Sequence, residues 1–162
     1  MSNTGKPRTG LGLAELYPII EEKLGQGGEI TFKPHGISML PLLRQDIDSV
    51  TIGGVRCMPK RLDVILYRRA GGQFVLHRII GEDSNGFILC GDNQFIREYG
   101  VTEDMIIGVM TGFCRNGRQV NMNGILYGVY KRCLRTRRSF LYTKDLFCRA
   151  RRKAWRILNR TK

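Results

Sequence analysis

Lysine is missing from residues 61 to 130 of this 162-residue chain, histidine occurs only twice, and acidic residues are nearly absent from its C-terminal tail. Each gap removes something. Without lysine across the central segment, a deprotonated amine is excluded there as a general base. The histidines, His35 and His77, stand at no zinc-like spacing from the cysteines, which argues against a metal centre. Five cysteines (Cys57, Cys90, Cys114, Cys133 and Cys148) make an odd count with no Cys-x-x-Cys pair. They read as free thiols in a reducing, cytoplasmic setting, and no cofactor is expected. Also missing are internal repeats and any apolar run suited to a membrane span or signal-peptide core. A chain of this length supports one domain with a real core, not two.

What is present reads as mainly β. Short apolar runs separated by turn residues predict strands over Ile30–Lys33, Ser49–Ile52, Val64–Arg68, Phe74–Ile80, Gly86–Cys90, Ile106–Phe113 and Gln119–Met122. Turns are expected at Ala70-Gly71-Gly72, at Asp83-Ser84-Asn85-Gly86 and at Asn116-Gly117, the last a hairpin signal. The expectation is a coiled antiparallel sheet or partly open barrel. Before it, Leu16, Ile19, Ile20 and Leu24 fall on one helical stripe opposite Glu21, Glu22 and Lys23. Pro18 sets the helix start near Leu16 or Tyr17, and Gly25 is its expected stop. The chain thus divides into an N-terminal tail and helix over 1–28, a β domain over 29–122 and a basic tail over 123–162.

The chemistry concentrates in Lys33-Pro34-His35-Gly36-Ile37-Ser38-Met39-Leu40-Pro41, directly after the first strand. A serine between Gly and Pro ordinarily bonds to its own backbone in a turn. Here His77 follows on a strand, alternating with Val75 and Ile79 on one face, and Asp92 follows in a Gly91-Asp92-Asn93 turn. Serine, histidine and aspartate are the types that make a nucleophile, a base and the group that orients the base. His35, three residues before Ser38 on an extended segment, is expected to lie too far off and on another side. An Asp in such a turn often only holds its own backbone. Glu98, Glu103 and Asp104 are other acids that could serve His77, and Asp63 reads as structural.

In order and surroundings these pieces resemble the signal-peptidase-like serine proteases, the clan that also holds the LexA-type repressors. The resemblance rests on Ser38-Met39-Leu40-Pro41, Leu62-Asp63-Val64-Ile65-Leu66-Tyr67, His77-Arg78-Ile79-Ile80, Gly91-Asp92-Asn93 and Ile106-Ile107-Gly108-Val109, and covers about residues 29 to 114. His-Arg matches the archaeal and endoplasmic-reticulum type. It implies a fold of the signal-peptidase/LexA type and a serine endopeptidase acting through Ser38 and His77, with Asp92 orienting His77. It further implies an extended peptide or protein substrate with small residues beside the cut. Gly36 stands where many of these enzymes carry an oxyanion-donating serine, Gln45 and Leu62 replace glycines, and their transmembrane anchor is not seen. Activity is expected to rise as His77 loses its proton, near its ordinary value of about 6.5.

Charge marks out the tail. Residues 115–162 hold 15 Lys and Arg against one acid, Asp145. Leu126, Val129, Tyr130, Cys133 and Leu134 recur at helical spacing, as do Phe147, Ala150, Ala154, Ile157 and Leu158, which predicts two basic amphipathic helices broken near Thr136–Ser139. Such a stretch suits the inner surface of an anionic membrane, with Trp155 entering the interface. It could instead cover the sheet, or bind nucleic acid, although it carries no reading motif. The rival to the peptidase is a non-catalytic protein of the same fold that works through this tail.

Overall fold

A computed structural model describes residues 15–158, except for the side chains of residues 135, 149 and 152–158. The expected packing of Ala154, Ile157 and Leu158, and the seat of Trp155, lie outside the described residues.

The chain opens on α1 (Tyr17–Gly25), with Pro18 in its first turn. Ile20 and Leu24 are buried and Leu16 packs beside them, but Ile19 is 63% exposed and leaves the expected stripe. The helix stops at Gly25, as expected, and the glycine that closes it off lies two residues on. Gly27 adopts a positive φ of 79°, and the N–H groups of Gly27 and Gly28 donate to the carbonyls of Leu24 and Lys23. That is a glycine-terminated cap, satisfying carbonyls the last turn would otherwise leave open.

The strands are β1 (Glu29–Phe32), β2 (Ser49–Gly53), β3 (Val64–Arg68), β4 (Phe74–Asp83), β5 (Gly86–Cys90), β6 (Glu98–Val101), β7 (Ile106–Arg115) and β8 (Arg118–Gln119). All pairings are antiparallel, in the open order β1-β2-β7-β3-β4-β5-β6, with β8 on β7. The architecture is therefore mainly β, an unclosed eight-stranded sheet. Asn116 and Gly117, with φ of 51° and 74°, make the β7–β8 turn that their sequence calls for. The last expected strand shrinks to two residues, because the chain turns at Asn121 to enter the helix. β6, which has no alternating pattern, was not expected and exists by pairing with β5.

Alternation divides the core between two faces. Val64, Leu66 and Leu76 join Met39, Leu42, Leu43 and α1 in one cluster, while Ile65, Tyr67, Ile79 and Leu89 form the other. At about 25 cal/mol per Å² of apolar area, each buried Leu or Ile contributes about 2 kcal/mol.

The tail is one helix, α2 (Ile125–Leu158), without the expected break at Thr136–Ser139. Nothing between those residues forbids helical backbone, so the ladder continues. Of the expected stripe, Leu134 is buried and Tyr130 half-buried, joined by Tyr127, which was not expected, while Leu126, Val129 and Cys133 are exposed. No described helix is long and apolar enough to cross a membrane.

Candidate active site

Ser38 sits in the turn that follows β1. Its neighbours Met39, Leu42 and Leu43 are buried in the core, so the apolar residues of the motif anchor the turn and leave Ser38 half-exposed. Farther along, the buried Asp48 accepts three bonds from Arg44, at 2.8, 2.9 and 2.6 Å, which tie off the end of the loop. Those bonds hold the Asp48 carboxyl below the usual carboxylate range. Gly36 has φ +100°, a conformation that favours glycine, with open space where a side chain would stand.

The Gly91-Asp92-Asn93 turn locks this loop from the other side. Asn93 N–H donates to the Ser38 carbonyl at 2.8 Å, and Asn93 Nδ2 donates to the Ile37 carbonyl. A Cβ on Gly91 would stand 2.7 Å from the Ser38 carbonyl oxygen and 3.1 Å from Ser38 Cβ. Only glycine allows that approach.

Asp92 faces elsewhere. It is fully buried, and Arg78 donates to it bidentately, Nε to Oδ1 at 2.8 Å and Nη2 to Oδ2 at 2.6 Å. Tyr130 Oη of α2 adds a third bond at 2.8 Å. The Arg78 guanidinium also donates to the Leu62 carbonyl and lies over the rings of Tyr127 and Tyr130. Among the described residues Asp92 shares no hydrogen bond with His77, contrary to the expected orienting contact. Its carboxylate is turned toward the fully buried Arg78, whose charge would otherwise be stranded.

The acid beside His77 is Glu98. His77 is buried on β4, and its Nδ1 lies 3.4 Å from Tyr67 Oη and 3.8 Å from Glu98 Oε2. Tyr67 Oη donates to Glu98 Oε2 at 2.6 Å, while Arg69 Nε and Nη2 grip both carboxylate oxygens at 2.6 and 2.7 Å. Arg69 therefore holds Glu98 below its ordinary value, in its ionised form. Since the Tyr67 proton goes to Glu98, the phenol oxygen accepts from His77, which assigns the ring hydrogen to Nδ1 and leaves Nε2 as an acceptor. Burial pushes His77 down to about 4, against the pull of Glu98. Neutral imidazole thus persists well below the expected 6.5.

Ser38 and His77 line one pocket of about 260 Å³, walled by Met39, Leu43, Phe74 and Leu76 and edged by Arg69 and Gln94. His35 lines it too, against expectation. His35 is exposed, its Nδ1 3.1 Å from Asp46 Oδ2. Glu103 and Asp104 lie on the short turn before β7 and do not line this pocket, while Asp63 accepts from the Lys60 N–H.

Sequence reasoning missed Tyr67 and Arg69. A signal existed: the Ala70-Gly71-Gly72 turn pairs β3 with β4, setting Tyr67 opposite Val75 and Ile65 opposite His77. Tyr67 is then His77's diagonal neighbour on one face. No protein-family model, curated protein or solved structure matches this chain. The chemical content of the site is a serine hydroxyl, a neutral imidazole with one ring nitrogen free to accept, and an ionised acid behind it.

Proposed function

We propose that this protein is a serine endopeptidase of the signal-peptidase type that cleaves a peptide or protein precursor. The observation that carries the reading is the shared pocket of Ser38 and His77, with Nδ1–H of His77 directed to Tyr67, whose hydroxyl in turn donates to Glu98. Ser38 Oγ attacks the scissile carbonyl while His77 Nε2 takes its proton. The imidazolium then keeps Nδ1–H on Tyr67, whose own proton remains on the Glu98 carboxylate, so the new positive charge faces a fixed negative one. His77 returns the proton to the leaving amine. Water, deprotonated by the same nitrogen, hydrolyses the acyl-enzyme and restores Ser38. Asp92 supports this at a distance, by holding the turn against which the Ser38 loop is packed. The small volume of the pocket suits small side chains beside the cut.

The test compares protein N-termini by mass spectrometry in cells carrying wild type, Ser38→Ala, His77→Ala or His35→Ala. A precursor that accumulates with Ser38→Ala and His77→Ala but not with His35→Ala supports the assignment and names the substrate. Loss only with His35→Ala moves the base to the His35–Asp46 pair. Unchanged N-termini with stable, well-expressed variants would refute catalysis.

The same reading seats α2 on an anionic membrane surface rather than on nucleic acid. What supports this is the exposed apolar set Leu126, Val129, Phe140 and Phe147, interleaved with basic residues and offering lipid an apolar face. Flotation with anionic vesicles, compared with neutral ones, tests it; Leu126→Asp together with Phe140→Asp should abolish it.

A further inference from the structure

A second cavity, of about 900 Å³, lies between the sheet and α2, away from Ser38 and His77. Five cations line it: Arg61 and Arg97 from the loops of the β domain, and Lys131, Arg132 and Arg138 from α2. Among the described residues no carboxylate lines it. Like charges gathered along a partly enclosed wall repel one another and raise the local concentration of anions.

Arg138 sharpens the point. Its Nε and Nη2 are buried and have no hydrogen-bond acceptor, the only such side-chain atoms among the described residues. The nearest carboxylate oxygen, Asp92 Oδ1, is 3.8 Å from Nη2 and already accepts from Arg78 Nε. These two atoms are closed off from solvent and lie beside Asp92 and the Cys90 thiol. Asp92 is already paired with Arg78, so the positive charge that Arg138 brings to the cavity wall is not neutralised from within. A guanidinium matches two oxygens of a carboxylate or a phosphate.

We propose that this cavity binds a phosphate group carrying an apolar body. The cation count favours a phosphomonoester, with up to two negative charges, over a singly charged acid. The apolar body follows from the rest of the wall, which includes Leu62, Ile80, Ile88 and Phe95. It follows also from volume, since the cavity is of the size that takes a whole small organic molecule rather than a bare ion. Two sources share this chemistry: a soluble phosphomonoester and the headgroup of a lipid phosphate. The inference does not depend on the peptidase reading, because none of its residues lines the Ser38 pocket.

Calorimetric titration of the whole protein with phenyl phosphate and with inorganic phosphate, at fixed ionic strength, tests the site. Phenyl phosphate should bind more tightly than inorganic phosphate. Arg138→Gln and Arg132→Gln should each weaken it at least about tenfold, the share of a charged hydrogen-bond pair. Arg118→Gln, an equal charge loss on β8 outside the cavity, should change it by less than about twofold. Arg132 is exposed, so its variant keeps the test decisive if Arg138→Gln fails to fold. Flotation then separates the sources. Preference for phosphatidic acid over phosphatidylglycerol, lost in Arg132→Gln, assigns a lipid headgroup; phenyl phosphate binding without that preference assigns a soluble ligand. The proposal is overturned if wild type binds neither phosphate. It is equally overturned if Arg118→Gln weakens binding as much as the cavity variants, or if an oligonucleotide displaces phenyl phosphate regardless of Arg132, since diffuse surface charge then explains everything.

Discussion

Replacing Asp92 by alanine separates a scaffolding role from a catalytic one. Arg78 and Asp92 are both fully buried and joined by two bonds of 2.8 and 2.6 Å. Their pair ties β4 to the turn that holds Ser38, and Tyr130 extends the tie to α2. Removing Asp92 leaves a buried guanidinium without its bidentate partner, a loss of about 3–5 kcal/mol. The Tyr130 hydroxyl also loses its acceptor, worth about 1 kcal/mol, but the two losses share one network and do not add in full. We expect about 4 kcal/mol in total, a large part of the roughly 5–15 kcal/mol that holds a domain of this size. Urea unfolding should show a lower midpoint at unchanged slope. Arg78→Met should cost nearly as much, whereas Arg78→Met with Asp92→Leu should cost less than either alone, since neither charge is then stranded. If Asp92→Ala costs under about 1 kcal/mol yet abolishes precursor processing, the scaffold argument is wrong and Asp92 acts at the reacting centre.

Three further outcomes follow from the site. Because His77 is pushed down to about 4 in the folded chain, the unfolded chain takes up a proton first as pH falls through its ordinary 6.5. This contribution to stability is complete above about pH 6.5 and shrinks by up to about 3 kcal/mol toward pH 4, which His77→Gln should flatten in unfolding curves. By the same shift the acid limb of kcat/KM should fall below 6.5 and approach 4; an inflection at or above 6.5 would refute His77 as the base. Tyr67→Phe keeps the ring but removes the acceptor of Nδ1–H, so kcat on the identified precursor should drop about tenfold to a hundredfold with KM nearly unchanged. An equal rise in KM would mean the pocket itself had collapsed. Gly91→Ala drives a Cβ to 2.7 Å from the Ser38 carbonyl oxygen, which is backbone and has little room to yield. Processing should suffer more than the roughly 1–3 kcal/mol lost in stability, and wild-type processing in this variant would show that the Ser38 turn tolerates displacement.

Much of this protein was written locally. The bounds of β3 and β5, the start of α1 at Tyr17, the Asn116–Gly117 turn and the alternation of His77 with Val75 and Ile79 all depend on residues a few positions apart. The placement of Ser38 in a turn, His77 on a strand and Asp92 in a Gly-Asp-Asn turn was legible for the same reason. What no local pattern carried was which groups meet. β6 has no apolar alternation and forms because β5 offers an edge, and with it comes Glu98. Asp92 and Glu98 were both eligible partners for His77. The sheet gave Asp92 to buried Arg78 and brought Glu98, through Tyr67, to the imidazole. The tail carried apolar residues on more than one side, so its period permitted several buried faces. Docking of Tyr130 and Arg137 on the Asp92–Asn93 turn selected the one with Tyr127 and Leu134. Backbone propensity and side-chain alternation are properties of neighbours in the chain; charge pairing and burial are properties of neighbours in space, and only the folded sheet decides those.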